Sequence, residues 1–149
     1  MKIICQINEI SSLNFHSDST LAIMFSAQNR GHEIFYYVGE SLSLSGNDIF
    51  AYAYKIKLFD NKDSFFSIEA GALENLAEFD ILLLRQDPPF DMNYLSYCYF
   101  LEKIQDKLLI INNPAAVKNC PEKIFVTKFS QFMPQTLITS DVRQIEKFR

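Results

Sequence analysis

A run of four branched aliphatic residues at positions 81–84 (ILLL) limits more than any other feature how this chain can fold. A short, uninterrupted apolar block is typical of a strand that is covered on both faces, as in a parallel sheet flanked by helices. Arg85 follows at once, and Pro88 and Pro89 come soon after it. Because proline keeps the preceding residue out of helical geometry, we predict a central strand at residues 80–84 that leads into a stiff loop.

The remainder of the chain alternates between strand-like and helix-like segments, and its first part has the strand, loop, helix, strand order of a right-handed βαβ unit. Asp18 or Ser19 could cap the first helix, and Gly31 stands where a left-handed C-terminal cap belongs. Asp91 and Ser140 are placed to cap two later helices.

Predicted strands cover residues 2–7, 32–38, 49–59, 80–84, 108–112 and 136–139. Predicted helices cover residues 20–30, 72–79, 92–107, 113–120, 121–132 and 140–149.

Residues 49–59 alternate in polarity, which predicts a half-exposed strand that pairs as an antiparallel hairpin with the preceding LSLS segment. One face would carry Phe50, Tyr52, Tyr54, Ile56 and Leu58. The opposite face would carry Ile49, Ala51, Ala53, Lys55 and Lys57.

Composition excludes several classes of protein. The 149 residues are 48% apolar and 21% charged, which favours one compact domain, with room for a tail, over disorder. A net charge of -4 argues against nucleic acid as a partner, because phosphate binding requires a basic face. No apolar run approaches the roughly 20 residues that span a membrane, and no signal peptide is evident. We therefore expect a cytoplasmic protein.

The cysteines, Cys5, Cys98 and Cys120, are scattered, and His16 and His32 lie far from each other in the chain. They form no CxxC pair and no Cys/His cluster, so we predict neither a disulfide framework nor a zinc site. Each cysteine is expected to be a reduced, small core residue.

The loop after residues 80–84 is the first candidate for a site. Ligands of open α/β sheets bind beyond the carboxyl ends of the strands, and the guanidinium of Arg85 is a planar fork that suits a carboxylate or phosphate. Asp87 could orient Arg85 or accept a hydrogen bond from an ammonium group. The alternative is that Arg85 and Asp87 form structural ion pairs, with each other or with neighbours, and that Pro88 and Pro89 merely end the strand.

The loop after the first strand, residues 8–19, should lie at the same edge of the sheet. It contains neither a GxGxxG fingerprint nor a P-loop. Its last residues, SDST, precede a helix and offer backbone N–H groups and hydroxyls to an anion. Simple capping of the helix explains them equally well.

Several strings together show a family resemblance. In order and spacing, the chain resembles the N-terminal half of bacterial-type glutathione synthetases over essentially its whole length, and the RQDPPFD string is the most specific match. The matching strings are DSTLAIMFSAQNRGHEI, LLLRQDPPFD, YCYFLEKI, IINNPAAVKNCPEKIF and MPQTLIT.

The resemblance implies a three-layer, Rossmann-like pre-ATP-grasp domain with a mixed, mainly parallel sheet and an antiparallel hairpin. It also implies an ATP-grasp ligase that joins γ-glutamylcysteine to glycine through an acyl phosphate and releases ADP and phosphate. In that family the nucleotide and Mg²⁺ are held mainly by the later ATP-grasp domain, so neither is expected to bind this chain tightly.

Site residues follow from the resemblance one by one. Asp18 and Ser19 match the family's DS pair on the substrate side of the cleft, and Arg85 and Asp87 match the arginine and aspartate of the Pro-Pro loop. Gln86 stands where a lysine is common, so one positive charge is missing. A further residue, Lys123 in PEKIF, matches a lysine directed at ATP, although a solvated helix lysine is the alternative. No catalytic residue and no metal ligand is assigned.

The resemblance also divides the chain into residues 1–121, the pre-ATP-grasp domain, and residues 122–149, a linker helix and the start of an ATP-grasp domain. The glycine-rich loop and the metal-binding residues of the family would lie beyond Arg149. We therefore expect the chain alone to make no glutathione, and expect γ-glutamylcysteine, glycine and ATP to bind together with the missing domain.

Two other functions remain open, a stand-alone module that binds a small acid or nucleotide, and a non-catalytic interaction protein. Four aromatic residues encircle the helix predicted at residues 92–107, and aromatic residues are enriched at interfaces. Some of these residues, Tyr94, Tyr97, Tyr99 and Phe100, must therefore face a partner, the hairpin or solvent, and we predict a homo-oligomer contact there.

Overall fold

In the computed structural model, which describes residues 1–148 apart from the side chain of Glu122, an eight-stranded mixed sheet lies between two helical layers. The strands are β1 (Lys2–Gln6), β2 (Glu33–Tyr37), β3 (Ser43–Ser45), β4 (Asp48–Leu58), β5 (Phe66–Ile68), β6 (Ala72–Asn75), β7 (Ile81–Leu84) and β8 (Leu109–Ile111). The α-helices are α1 (Ser19–Asn29), α2 (Met92–Glu102), α3 (Pro114–Asn119), α4 (Glu122–Phe125) and α5 (Val142–Phe148). Short 3-10 helices cover Ile10–Ser12, Gly39–Ser41, Lys62–Ser64, Leu76–Glu78 and Val126–Phe132.

The main path of the sheet runs β3-β4-β2-β1-β7-β8. Strands β2, β1, β7 and β8 are parallel, whereas β4 pairs antiparallel with β2, β3, β5 and β6. Gly46 has a φ of 61° at the tight turn between β3 and β4, where a left-handed conformation favours glycine. The predicted α/β class, with a mixed sheet and an antiparallel hairpin, is confirmed.

The core is divided between the two faces of the sheet. In β1, Ile3 and Cys5 point to the α1 layer, where Leu21 and Met24 cover them, whereas Ile4 points to the α2 layer. Strand β7 alternates in the same way. Its residues 82 and 84 are buried against α2, and residues 81 and 83 pack on the α1 side. A pleated strand sends successive side chains to opposite faces, so neighbouring residues at these strand ends enter different layers.

Strand β4 differs from the prediction of one apolar face. Ile49, Ala51 and Ala53 are buried in the α2 cluster, whereas Ile56 and Leu58 are buried in the α1 cluster. The buried face therefore changes part-way along the strand. The first half pairs with β3 and β6 and the second half with β2 and β5, so the two halves meet different layers of the core.

The helix predicted at residues 72–79 is wrong. Ala72–Asn75 forms β6 and pairs with residues 50–53 of β4, and only Leu76–Glu78 is helical, as a 3-10 helix. The side chain of Asn75 accepts a hydrogen bond from the backbone N–H of Ala77 at 3.0 Å and begins that turn. An open edge of β4 offered backbone partners, and this tertiary pairing outweighed local helix propensity.

The end of the chain also differs from the prediction. Residues 136–139 form no strand, because no neighbouring strand supplies a hydrogen-bond ladder to them. Asp141, rather than Ser140, accepts the bond from a first-turn N–H, that of Arg143, at 3.0 Å. The α-helix predicted at 92–107 ends at Glu102, and Arg149 lies outside the described residues.

Two of the three cysteines are core residues, as predicted. Cys5 and Cys98 have no exposed surface, and burial raises the pKa of Cys5 to about 12 and that of Cys98 to about 11. Cys120 is exposed just after α3, so its prediction as a core residue is wrong. None of the α-helices in the part of the chain that the structure describes is long and apolar enough to cross a membrane.

Leu82→Ala should lower the free energy of unfolding by about 2–5 kcal/mol, because the side chain is fully buried and its removal leaves a cavity. Leu109→Ala is the matched control, since Leu109 lies on the neighbouring strand β8 and is 57% exposed. It should cost less than about 1 kcal/mol. Urea denaturation of both variants measures the difference, and equal losses would contradict the assignment of the core.

A thiol reagent added to the native chain should react rapidly with one thiol, that of Cys120, because only exposed thiolate is available for attack. The rapid phase should disappear in Cys120→Ser. In the unsubstituted chain, all three thiols should react after denaturation. Rapid reaction of Cys5 or Cys98 in the native chain would show that the core is open.

Candidate functional site

The carboxyl ends of three parallel strands meet at one edge of the sheet. The ladder continues past the strands, since Arg85 N–H donates to the Gln6 carbonyl at 2.9 Å and Ile7 N–H donates to the Tyr37 carbonyl at 3.1 Å. This edge is where open α/β sheets bind ligands, and the predicted site residues of the first loop and the Pro-Pro loop lie around it.

Arg85 is held at the start of α1. Its Nε donates to Thr20 Oγ1 at 3.1 Å, and one Nη donates to Ser19 Oγ at 2.7 Å. Arg85 forms no ion pair with any carboxylate that the structure describes. The described side chains thus show no ion pair between Arg85 and Asp87, although Arg85 does bond to its neighbours Ser19 and Thr20, as the structural alternative allows. The half-buried guanidinium keeps N–H groups available.

Asp18 caps α1. Its Oδ1 accepts hydrogen bonds from the backbone N–H groups of Thr20 at 2.7 Å and Leu21 at 3.0 Å. The capping prediction is confirmed, and Asp18 rather than Ser19 supplies the cap. Asp18 also lines a cavity of about 520 Å³ that runs along α1 towards the end of β4. That cavity is mostly apolar, and Arg85 lines neither it nor the smaller cavity described below. We place the candidate site at the strand ends because open α/β sheets bind ligands there.

Asp87 lies in a second, smaller cavity, which we call the acidic cleft. It has a volume of about 430 Å³ and is lined by Asn8, Glu9, Glu40, Gln86 and Asp87, with apolar residues around them. Three of these side chains are carboxylates, which favours a ligand group with positive charge at this end.

The structure brings Asp18, Ser19 and Arg85 together at the start of α1, whereas Asp87 lines the acidic cleft, which none of those three residues lines. Lys123 is apart. It is an exposed residue of α4 and makes no hydrogen bond or ion pair with these four within the described residues. Its role towards ATP stays a prediction.

Comparison with known proteins identifies the family. A family model described as the prokaryotic glutathione synthetase N-terminal domain matches residues 1–118. The chain belongs to this family.

Curated relatives named glutathione synthetase match the whole chain. That of Mesorhizobium japonicum is 44% identical over 149 residues, which are 100% of this chain and 48% of the relative. The Agrobacterium fabrum protein is 45% identical over 144 residues, 97% of this chain and 45% of the relative. The Buchnera aphidicola protein is 34% identical over 149 residues, 99% of this chain and 47% of the relative. The chain spans about half the length of the relatives it matches.

Sequence reasoning missed a buried polar network beside the site. Gln6 has no exposed surface. Its Oε1 accepts from the Tyr37 hydroxyl at 2.7 Å, and its Nε2 donates to Gln86 Oε1 at 2.8 Å. Burial raises the pKa of Tyr37 well above its usual value, so this hydroxyl stays protonated. A polar Gln6 within the otherwise apolar KIICQI strand was the one signal in the sequence.

Most of the aromatic side chains of α2 pack within the chain itself. Tyr94 and Tyr97 are 8% and 9% exposed, and Phe100 packs against the α2 cluster. Tyr99 is exposed, with Lys118 Nζ 3.7 Å from its ring centroid. Only Tyr99 remains available for the predicted homo-oligomer contact, which stays a prediction.

Asp18→Ala should destabilise the chain by about 1 kcal/mol, because two backbone N–H groups at the start of α1 lose their acceptor. Asp18→Asn is the matched control, since its amide oxygen can cap equally well, and it should retain most of the stability. Urea denaturation tests both. If the alanine variant is as stable as the asparagine variant, the carboxylate is not acting as a cap.

Proposed function

We propose that the chain is the substrate-side, N-terminal domain of a glutathione synthetase, an ATP-dependent ligase that joins γ-glutamylcysteine and glycine and releases ADP and phosphate. In this proposal residues 1–121 are the pre-ATP-grasp domain, and residues 122–149 are the linker helix and the beginning of an ATP-grasp domain. Membership of the family and the names of the relatives support it.

The position of Arg85 carries the proposal. Its guanidinium is oriented by the hydroxyls of Ser19 and Thr20 and is not neutralised by a carboxylate of the described residues. A guanidinium binds a carboxylate through two parallel N–H···O bonds, which are stronger than neutral hydrogen bonds. Arg85 would therefore bind a carboxylate of γ-glutamylcysteine, and the preset geometry spares part of the ordering cost of binding.

The acidic cleft supplies the complementary charge. γ-Glutamylcysteine carries an ammonium group as well as carboxylates, and Asp87, with Glu9 and Glu40 beside it, offers acceptors to that group. Asp18 uses only Oδ1 for capping, so its Oδ2 has no partner among the described residues and can also face the substrate. Ser19 contributes indirectly by holding Arg85.

ATP and Mg²⁺ belong to the proposed whole enzyme, and Lys123 is the one residue of this chain that we assign to the nucleotide. Among the side chains that the structure describes, no group of three or more His, Cys, Asp or Glu could hold a metal ion. These side chains therefore offer no cluster of ligands for a resident Mg²⁺. We further propose that the chain alone makes no glutathione and acts in the cytoplasm.

The last part of the described chain supports an association with more polypeptide. Large apolar side chains are exposed there, including Ile124, Val126, Phe129, Phe132 and Val142. Apolar surface of this kind marks an interaction site. We propose that a polypeptide equivalent to the other half of the relatives covers it and completes the binding sites for glycine and ATP.

Isothermal titration calorimetry of the chain with γ-glutamylcysteine tests the proposal. We expect binding, and a loss of at least about tenfold in affinity for Arg85→Ala, because a charge-assisted hydrogen-bond pair is removed. Arg143→Ala is the control, since Arg143 lies on α5 and pairs with Asp141.

A second measurement adds a polypeptide that corresponds to the rest of a relative and follows ADP release. Release should require γ-glutamylcysteine, glycine and both polypeptides. Binding without ligation would instead favour a stand-alone binding module, and absence of both would favour a non-catalytic interaction protein. Substrate-dependent ADP release from this chain alone would contradict its proposed inactivity.

A further inference from the structure

We propose that Tyr37, Gln6 and Gln86 form a hydrogen-bond relay that turns the Gln86 amide so that its Nε2 donates to a ligand oxygen in the acidic cleft. The relay itself is a property of the described residues. The identity of its ligand, γ-glutamylcysteine, rests on the proposed function.

The fold brings the three side chains together from three strands. Gln6 of β1 is in register with Tyr37 of β2 and with Leu84 of β7. Because side chains alternate along a strand, Gln86 points to the same face as Leu84, whereas Arg85 points to the α1 side. Arg85 and Gln86, although consecutive, therefore lie on opposite faces of the sheet, and the Gln86 amide lies on the same face as Gln6.

The direction of the relay follows from Tyr37. Its hydroxyl is fully buried, and Gln6 is its only hydrogen-bond partner among the side chains that the structure describes. If the Gln6 amide were reversed, the hydroxyl proton would be buried without an acceptor, which costs more than an unused lone pair. Gln6 therefore presents Oε1 to Tyr37 and donates from Nε2 to Gln86, so Gln86 must accept this hydrogen bond with its Oε1.

The other end of the Gln86 amide is then free. Its Nε2 has no hydrogen-bond partner in the described part of the chain, and that part contains no buried side-chain nitrogen or oxygen without a partner, so Nε2 is accessible. Gln86 lines the acidic cleft among Glu9, Glu40 and Asp87. Its N–H groups are oriented donors beside acceptors, an arrangement that suits a ligand with a carbonyl or carboxylate oxygen next to a cationic group.

Gly39 makes room for this arrangement. A Cβ atom at that position would lie 2.7 Å from Gln86 Oε1 and 2.5 Å from Tyr97 Cε2. A larger residue would force Tyr97, Gln86 or both to move. The backbone of Gly39 therefore forms one wall against which the Gln86 amide is set.

Hydrogen exchange of the glutamine side chains, followed by NMR of the unliganded chain, tests the relay without any ligand. The Gln6 NH₂ protons should exchange at least about tenfold more slowly than those of Gln86, and Gln86→Glu assigns the second pair by removing it. In Tyr37→Phe the hydroxyl that fixes the orientation of the Gln6 amide is absent. Both amides can then reverse, so that Gln86 donates to Gln6 and its protons gain protection from exchange. Protected Gln86 protons in the wild-type chain, or rates unchanged by Tyr37→Phe, would overturn the relay.

Calorimetry with γ-glutamylcysteine tests the role of the relay in binding. Gln86→Glu keeps an oxygen for Gln6 but replaces the donor in the cleft, and should weaken binding at least about tenfold. Asn8→Asp is the matched control, because it adds the same charge to the same cleft and leaves the donor in place. The loss of affinity in Asn8→Asp should be several-fold smaller than the loss in Gln86→Glu.

The outcomes separate this proposal from the proposed function. If the wild-type chain and the Gln86→Glu variant bind equally, or if Asn8→Asp weakens binding as much as Gln86→Glu, the donor role is overturned while the proposed function stands. If the wild-type chain does not bind γ-glutamylcysteine, the proposed function fails, the ligand assigned to Gln86 fails with it, and the exchange rates decide the relay.

Discussion

The parallel pairing of β1 with both β2 and β7 is the constraint on which the site depends. It makes β1 a central strand and brings the carboxyl ends of three strands to one edge of the sheet. Gln6, at the end of β1, is consequently enclosed, and an enclosed amide must find partners or lose the free energy of its hydration. Tyr37 of β2 and Gln86, which follows β7, satisfy it, so the pairing that builds the core also positions the Gln86 amide in the wall of the acidic cleft.

The alternation of side chains along β7 continues beyond its end and sends Arg85 and Gln86 to opposite faces of the sheet. Arg85 is directed to the start of α1, where hydroxyls hold it while part of its surface stays in water. Gln86 is directed to the α2 side, where a neutral amide can be enclosed at far lower cost than a guanidinium. Exchanging the two residues would bury a charge beside Gln6 and Tyr37. The order of Arg and Gln in the loop is therefore matched to the two layers.

The sequence predicted those parts of the fold and site that depend on local patterns. The aliphatic run at 81–84 marked a buried strand, and Asp18 before an apolar helix marked a cap, because both signals arise from residues close in the chain. Residues 72–79 and 136–139 could not be predicted in this way. Each has a composition compatible with either a helix or a strand, and the outcome depended on whether a partner strand lay beside it.

The amino-acid sequence by itself determined the α/β class, the buried strand β7 with the Pro-Pro loop after it, and the residues available at the strand ends, because periodicity, proline geometry and capping act over a few residues. Only the tertiary structure decided which of those residues meet. Arg85 contacts Ser19 across 66 positions of sequence, and Gln6 contacts Gln86 across 80. No local signal encodes such contacts, since they arise from strand order and register, which are set by the burial of the whole sheet.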